Sequence, residues 1–280
     1  MGVELATDGR GRKQRIWRGA AVAGWTGEAA MNGAEGSIFL TAGRGVSGLS
    51  GGMKTLLAMG AHYDDCVFGI PGLLLQGVRK HYRVVVLTLI GDYTNWAPAK
   101  GRAQEVVDGS VRLAKKRGVE MRFLNFASHR FDARLENKLA VAKAVAEIQP
   151  DVAFTLWKED HHNDHVVASE LTRVAVRNAG QMLDGVTYKP PGRLFFYDNG
   201  PRHTIGFTPD TFVDVGDVWM EAMDWLGELM ALVRNQPYDR TKPDGAMLAK
   251  ESLARYRGAA CGAKYAEAVW LGLPRVVDIL

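Results

Sequence analysis

Two clusters of histidine and aspartate stand far apart in this sequence. Residues 61–65 read Ala-His-Tyr-Asp-Asp, and residues 160–165 read Asp-His-His-Asn-Asp-His. Imidazole nitrogens and carboxylate oxygens are common ligands of zinc, and a catalytic zinc usually has three protein ligands and a water. If the fold brings the two clusters together, they would supply a divalent metal site with a carboxylate base beside it.

Each cluster follows an apolar run, at residues 54–60 and 151–157, which predicts a buried strand of a parallel sheet. Open α/β sheets place their ligands at the carboxyl ends of such strands, so we expect the clusters to meet there. For Asp64 and Asp65 alone, an alternative is that they only cap the helix that follows. His161 is expected to be structural, because His162 fits the spacing of the second cluster better.

Strand and helix patterns alternate after residue 53. Buried strands are predicted at 54–60, 83–90, 120–126 and 152–157, and helices at 67–80, 102–117, 134–149 and 165–179. Pro71 should restrict the start of the first helix to about Gly69–Pro71, and Asp164 or Asn163 is the expected N-cap of the fourth. Short strands at 193–197 and 211–215 and helices at 217–235 and 245–257 follow. This order predicts an α/β fold with right-handed crossovers and a parallel sheet.

The first 52 residues differ in composition, because they hold 13 of the 32 glycines and show little periodicity. Their apolar patch at residues 19–25 is too short for a secretory signal. We therefore predict a glycine-rich, poorly ordered extension over residues 1–52 and one folded domain over residues 53–280.

The overall composition, 47% hydrophobic and 24% charged, is that of a soluble globular protein. Cys66 and Cys261 are the two cysteines, which suits a reducing cytosol, and we predict a cytoplasmic protein. A net charge of +4 without a basic cluster argues against a nucleic-acid partner. No apolar stretch is long enough to span a membrane. The predicted partner is a small molecule, and homo-oligomerisation is left open.

The two clusters resemble the signatures of the LmbE/PIG-L deacetylases, Ala-His-Pro-Asp-Asp-Glu and His-x-Asp-His. Here residues 61–66 read Ala-His-Tyr-Asp-Asp-Cys and residues 162–165 read His-Asn-Asp-His, with further similar segments at 102–105, 149–155 and 264–270. The resemblance covers roughly residues 53–280. It implies a Rossmann-like three-layer α/β/α fold with a mostly parallel, LmbE-like sheet. It also implies hydrolysis of an N-acetylated sugar, a GlcNAc-type conjugate, with Zn²⁺ or another divalent metal as cofactor.

The resemblance further implies roles for individual residues. The metal ligands would be His62, Asp65 and His165. Asp64 would be the general base, and a protonated His162 would stabilise the oxyanion with Asp164 orienting it. Arg102 would bind the substrate, and the alternative for this residue is an ordinary exposed arginine paired with Glu105.

Two positions depart from the family signature. Tyr63 replaces proline, which should leave the turn less constrained and add a ring beside the site. Cys66 replaces glutamate, which removes a carboxylate near the ligands and introduces a thiol that could compete for the metal.

Two other functions stay open. The first is a zinc amidohydrolase acting on a non-sugar amide, because fold and metal do not fix the substrate. The second is a non-catalytic Rossmann-type binding protein. A nucleotide site fits poorly, because the first strand leads into carboxylates and not into a Gly-x-Gly-x-x-Gly turn.

Overall fold

The structure is a computed structural model that describes residues 3–7, 13–17 and 52–272 of the 280-residue chain. The chain divides into two compact units, Met1–Leu49 and Ser50–Leu280. In the first unit, Val3–Thr7 (β1) and Lys13–Trp17 (β2) form an antiparallel two-stranded sheet that the sequence patterns did not predict. Poor order is predicted over residues 1–52. Apart from the two strands and residue 52, this segment lies outside the residues that the structure describes.

A seven-stranded sheet organises the described part of the second unit. Its strands are Thr55–Gly60 (β3), Arg83–Asp92 (β4), Val119–Ala127 (β5), Val152–Leu156 (β6), Arg193–Tyr197 (β7), Thr211–Asp214 (β8) and Ala266–Trp270 (β9). Their order is β5-β4-β3-β6-β7-β9-β8. Strands β3 to β7 pair in parallel, and β9 runs antiparallel to both β7 and β8. The predicted mostly parallel sheet is therefore confirmed.

Within residues 52–272, seven α-helices accompany these strands, with a short 3₁₀ helix at Ala97–Ala99. They are Asp65–Gly69 (α1), Pro71–Arg79 (α2), Ala103–Lys115 (α3), Leu135–Ile148 (α4), Asn163–Met182 (α5), Trp219–Val233 (α6) and Gly245–Cys261 (α7). The chain moves outward from β3 through β4 to β5 and then returns to β6 on the other side of β3. Right-handed crossovers in these two directions place helices on opposite faces of the sheet, which gives the predicted three layers. Accordingly α4 packs on α5, whereas α6 packs on α2, α3 and α7.

The elements differ from the predicted ones at three places. The helix predicted at 67–80 is two helices, α1 and α2, because Pro71 starts a new helix after Ile70 leaves helical geometry. The N-cap of α5 is His162, not Asp164 or Asn163. Strand β9 was not predicted as a strand, because a buried glutamate, Glu267, interrupts its short apolar pattern.

Glu267 explains how the end of the sheet is joined to the helices near β3. Its carboxylate accepts hydrogen bonds from the backbone N–H groups of Gly72 (2.9 Å) and Leu73 (2.8 Å) at the start of α2. Lys250 Nζ, on α7, lies 3.0 Å from Glu267 Oε1 and donates to the carbonyl of Gly69 at 2.8 Å. Both side chains are almost fully buried, so this ion pair is a structural contact inside the core.

Strand β3 is buried along its whole length, and β4 is buried from Val84 to Ile90. Continuous burial of this kind is expected for central parallel strands that are covered on both faces. Within residues 52–272 and the two N-terminal strands, no helix combines the length and apolarity needed to cross a bilayer.

Candidate metal centre

The two His/Asp clusters meet at the carboxyl edge of β3 and β6. These strands pair in parallel, and they flank the point where the strand order reverses, which is the usual ligand site of an open α/β sheet. Side chains from both clusters line one pocket of about 650 Å³. The fold therefore brings the clusters together as their positions in the sequence predicted.

His62, Asp65 and His165 lie close together at this edge of the sheet. His62 Nδ1 lies 3.1 Å from His165 Nε2, and His165 Nε2 lies 3.1 Å from Asp65 Oδ1. His62 Nδ1 lies 3.6 Å from Asp65 Oδ2. Atoms that share one zinc ion at bond lengths of about 2.0–2.2 Å are separated by similar distances. The Asp65 carboxylate approaches His165 through Oδ1 and His62 through Oδ2, so two nitrogens and this carboxylate lie close enough to surround a divalent ion.

The charges around these atoms favour a cation. Burial lowers the pKa of His62, but hydrogen bonds to Asp164 and Asp65 outweigh it and raise the pKa to about 9. Burial likewise opposes protonation of His165, whose pKa is raised to about 10 mainly by the charge of Asp65 and by Asp160. Burial would raise the pKa of Asp65, yet the positive His165 holds it well below the usual range. The carboxylates thus create a negative environment that a proton or a metal ion satisfies.

Each of the three side chains also has a further polar contact. His62 Nε2 lies 3.2 Å from Asp164 Oδ2, and His165 Nδ1 lies 3.1 Å from Asp160 Oδ2 in an ion-pair contact. Asn199 Nδ2 donates to Asp65 Oδ1 at 2.9 Å. Metal-binding histidines usually have their second nitrogen held by a carboxylate or carbonyl, which fixes the ring. His62 meets that requirement through its hydrogen bond to Asp164, whereas His165 Nδ1 has Asp160 only as a charged neighbour and forms no hydrogen bond.

Other combinations of side chains among the described residues could also hold an ion. These sets are His62, His162 and His165; His129, His162 and Asp164; and Asp160, His165 and His203. Asp65 is the third ligand that the resemblance implies. Its Oδ2 accepts from the backbone N–H groups of Ala61 (2.7 Å) and His62 (2.8 Å), which leaves Oδ1 facing His165. The ring of His162 stacks on that of His165 with their centroids 4.8 Å apart.

Asp64 lines the pocket next to the proposed ligands. Burial, together with the charge of Asp65, raises the pKa of Asp64 to about 6, although His62 opposes the shift. A carboxylate whose pKa lies near neutrality is suited to accept and return a proton. These properties fit the general base that the resemblance implies at this position.

His162 and Asp164 differ from what the resemblance implied. Burial and the positive charges of His62 and His165 lower the pKa of His162 to about 4, so the neutral ring is favoured over the protonated one. As the N-cap of α5, His162 Nδ1 accepts the N–H of Asp164 at 3.2 Å. The Asp164 carboxylate contacts His62, Ser128 Oγ (2.7 Å) and the N–H of His129 (3.0 Å), and its Oδ2 lies 4.0 Å from His162 Nδ1. Its shortest histidine side-chain contact is therefore with His62.

Arg102 does not line the pocket. Its guanidinium forms two hydrogen bonds of 2.8 Å to Glu105 and donates to the carbonyls of Leu232 (2.9 Å) and Val233 (3.4 Å) at the end of α6. The pairing with Glu105 is the alternative that the sequence left open, and the bonds to α6 give Arg102 a structural position. Two other arginines, Arg202 and Arg234, line the pocket. The side chain of Arg234 is paired with Asp244.

The two departures from the family signature lie at the site with different consequences. The ring of Tyr63 lines the pocket and contacts Tyr93 and Trp96, with centroids 5.6 and 5.7 Å away. Its backbone N–H donates to Tyr93 Oη at 3.0 Å. Cys66 is buried with Sγ 3.2 Å from Tyr197 Oη, and burial raises the pKa of its thiol. A thiolate at Cys66 is therefore disfavoured as a competing ligand.

Several pocket residues had no motif to mark them. Asn199 and His203 lie on a loop after β7 and reach the site only through tertiary contacts. Asp160 belonged to the second cluster, but no role was predicted for it. Tyr93 and Trp96 lie on the segment that follows β4.

Residues 57–176 match the protein family described as PIG-L, GlcNAc-PI de-N-acetylase. The matched segment contains both His/Asp clusters. The resemblance to the LmbE/PIG-L family is thereby confirmed over this segment.

Solved structures share the fold over most of this chain. The conserved protein TT1542 from Thermus thermophilus is 26% identical, with a TM-score of 0.65 over 81% of this chain and 98% of that chain. GalB, the 4-carboxy-2-hydroxymuconate hydratase from Pseudomonas putida, is 18% identical, with a TM-score of 0.66 over 81% and 100%. N,N'-diacetylchitobiose deacetylase from Pyrococcus horikoshii is 19% identical, with a TM-score of 0.64 over 77% and 82%. A hydratase and a deacetylase share this fold, so the site must decide the reaction.

Proposed function

We propose that this protein is a metal-dependent deacetylase that hydrolyses the acetamide of an N-acetylated sugar, a GlcNAc-type conjugate. The observation that carries the proposal is the convergence of His62, Asp65 and His165, with Asp64 beside them in one pocket. The PIG-L match supports a deacetylase, because the matched family is that of GlcNAc-PI de-N-acetylase.

His62, Asp65 and His165 would hold the metal, and their nitrogen and oxygen donors suit zinc. When bound, a zinc ion supplies a Lewis acid that polarises the amide carbonyl and lowers the pKa of water. Asp164 and Asp160 hold the two rings, so that one nitrogen of each faces the pocket.

Asp64 would accept a proton from the attacking water, whose oxygen forms the new bond to the acetyl carbon. The carbonyl oxygen gains negative charge as this bond forms, and the neutral His162 ring would stabilise it by donating a hydrogen bond from Nε2. When the C–N bond breaks, Asp64 would return its proton to the departing nitrogen. The products are acetic acid and a free amine, and the proton that the acid releases as it ionises to acetate is taken up by the amine.

The pocket supports a small-molecule substrate. Its volume of about 650 Å³ lies within the range of small-ligand sites, about 300–1,000 Å³. Aromatic rings of Tyr63, Tyr93 and Trp96 form part of the wall, and such rings pack against the apolar face of a sugar.

The test is acetate release from a panel of N-acetylated sugars, with the metal content of the same sample measured. We expect one divalent ion per chain and release from at least one sugar. Asp64→Asn serves as a matched control that should retain the metal without activity. Acetate release from non-sugar amides alone would favour the amidohydrolase alternative. A metal-loaded protein that hydrolyses no amide would contradict the proposal.

A further inference from the structure

We propose that the turn formed by residues 199–204 supports the metal centre, with Thr204 as a positioning residue that joins the contacts behind Asp65 and His165. The inference rests on the metal site of the proposed function, and it concerns residues to which the family signatures assign no role. In this proposal, a loop that is distant in sequence from both motifs affects the metal affinity.

The first branch of this support leads to Asp65. Asn199 Nδ2 donates to Asp65 Oδ1 at 2.9 Å, and the backbone N–H of Asn199 donates to Thr204 Oγ1 at 2.9 Å. Asn199 is buried, so its amide has little freedom to turn toward solvent. The orientation of the Asp65 carboxylate thus depends on where Thr204 holds Asn199.

The second branch leads to His165. Thr204 Oγ1 donates to Asp160 Oδ2 at 3.3 Å, and the same carboxylate oxygen lies 3.1 Å from His165 Nδ1. Asp160 Oδ1 accepts the N–H of His162 at 2.7 Å, which holds the carboxylate at the start of α5. One hydroxyl therefore accepts from the branch that reaches Asp65 and donates to the branch that reaches His165.

The backbone keeps this hydroxyl in place. Thr204 forms an isolated antiparallel bridge with Asp160, and its N–H donates to the carbonyl of Gly200 at 3.0 Å. Gly200 has a φ of 82°, a conformation that favours glycine. Arg202 and His203 lie within the turn and line the pocket. The turn consequently links the wall of the pocket to two of the three proposed metal ligands.

The test compares zinc affinity, measured by competition with a chromophoric chelator, among variants of the full chain. Thr204→Val keeps the shape of the side chain but removes the hydroxyl, and it should weaken zinc binding by about tenfold. Asp160→Asn should weaken it by about 10- to 100-fold. The double variant should lose less than the product of the two losses, because both changes interrupt the same chain of contacts.

Two controls separate positioning from general stability. Thr204→Ser retains the hydroxyl and should bind zinc like the wild type. Thr241→Val removes a hydroxyl that bonds to Asp239 in an exposed loop, and it should have no effect on affinity. The melting temperature of the metal-free protein should stay close to wild type in Thr204→Val, whereas the rise on adding zinc should be smaller.

The outcomes distinguish the two proposals. Wild-type zinc affinity in both Thr204→Val and Asp160→Asn would overturn the positioning role and leave the proposed function intact. Additive losses together with a lower melting temperature of the metal-free protein would also overturn it, since they would indicate a purely structural role. A wild-type protein that binds no divalent ion would remove the proposed function and this inference together.

Discussion

His62 Nδ1 and His165 Nε2 lie 3.1 Å apart although 103 residues separate them in the sequence. A carboxylate lies beside the second nitrogen of each ring, Asp164 for His62 and Asp160 for His165. The two imidazoles are thus held so that one nitrogen of each is directed at the other. At most one proton fits between two such nitrogens, and a metal ion satisfies both at once.

The ligand assignment predicts which variants lose metal. Asp65→Asn and His165→Ala should lose most of their zinc, because each removes one of three ligands. His162→Ala should retain it and turn over slowly. Metal content after dialysis and kcat on the best substrate measure both effects. A zinc-free His162→Ala together with a zinc-replete Asp65→Asn would make His162 the third ligand.

The role of Asp64 in proton transfer should be separable from metal binding. Asp64→Asn keeps the size of the side chain but cannot accept the proton, so kcat should fall by about 10²–10⁴-fold with normal metal content. Asp132→Asn, which changes an exposed aspartate paired with Arg134, is the matched control and should keep wild-type kcat. Loss of zinc from Asp64→Asn would assign Asp64 to the ligands.

Arg102 is expected to act on stability, not on substrate binding. Arg102→Ala removes the hydrogen bonds to the last carbonyls of α6, where a positive charge is favourable. The melting temperature should fall while KM stays unchanged, and Arg202→Ala should give the opposite pattern. A raised KM in Arg102→Ala at wild-type melting temperature would restore its predicted contact with the substrate.

The buried pair of Lys250 and Glu267 predicts a large effect on stability. Glu267→Gln leaves the Lys250 ammonium without its charge partner inside the core, which should cost about 3–5 kcal/mol of unfolding free energy. Chemical denaturation measures the change. Glu251→Gln, on the exposed pair with Arg255, is the control and should change stability by less than about 1 kcal/mol. Equal effects of the two substitutions would contradict the core role.

The cysteines should differ in reactivity. Cys66 is buried and the pKa of its thiol is raised, whereas Cys261 is exposed. A thiol reagent should therefore modify one cysteine per native chain and two in denaturant, with Cys261→Ser abolishing the native reaction. Rapid modification of Cys66 in the native protein would show that its thiol is reactive. Cys66 would then again be a candidate for a competing metal ligand.

Most of the parallel sheet followed from the sequence, because β3, β4 and β6 are continuous apolar runs that need no tertiary information. Strand β9 could not be recognised in this way. Its central Glu267 is acceptable in the core only because Lys250 and the start of α2 satisfy it. That compensation comes from other segments and leaves no local pattern.

The same limit applied to the site. His62 and His165 were recognisable because each stands in a dense His/Asp cluster at a strand end. Asn199 and Thr204 carry ordinary polar side chains on an irregular loop, and their contacts with Asp65 and Asp160 arise only when β7 pairs with β6. For Arg102 the sequence left substrate binding and pairing with Glu105 open, and it could not reveal the contacts with the carbonyls of α6.

The hydrogen bond from the amide of Tyr63 to the Tyr93 hydroxyl makes these two positions interdependent. A proline at position 63, as in the family signature, has no amide hydrogen and would leave that hydroxyl free to turn into the pocket. Transplanting either tyrosine alone into a relative should therefore change the substrate pocket differently from transplanting both. Residue 93 should accordingly be chosen together with residue 63 whenever this pocket is redesigned.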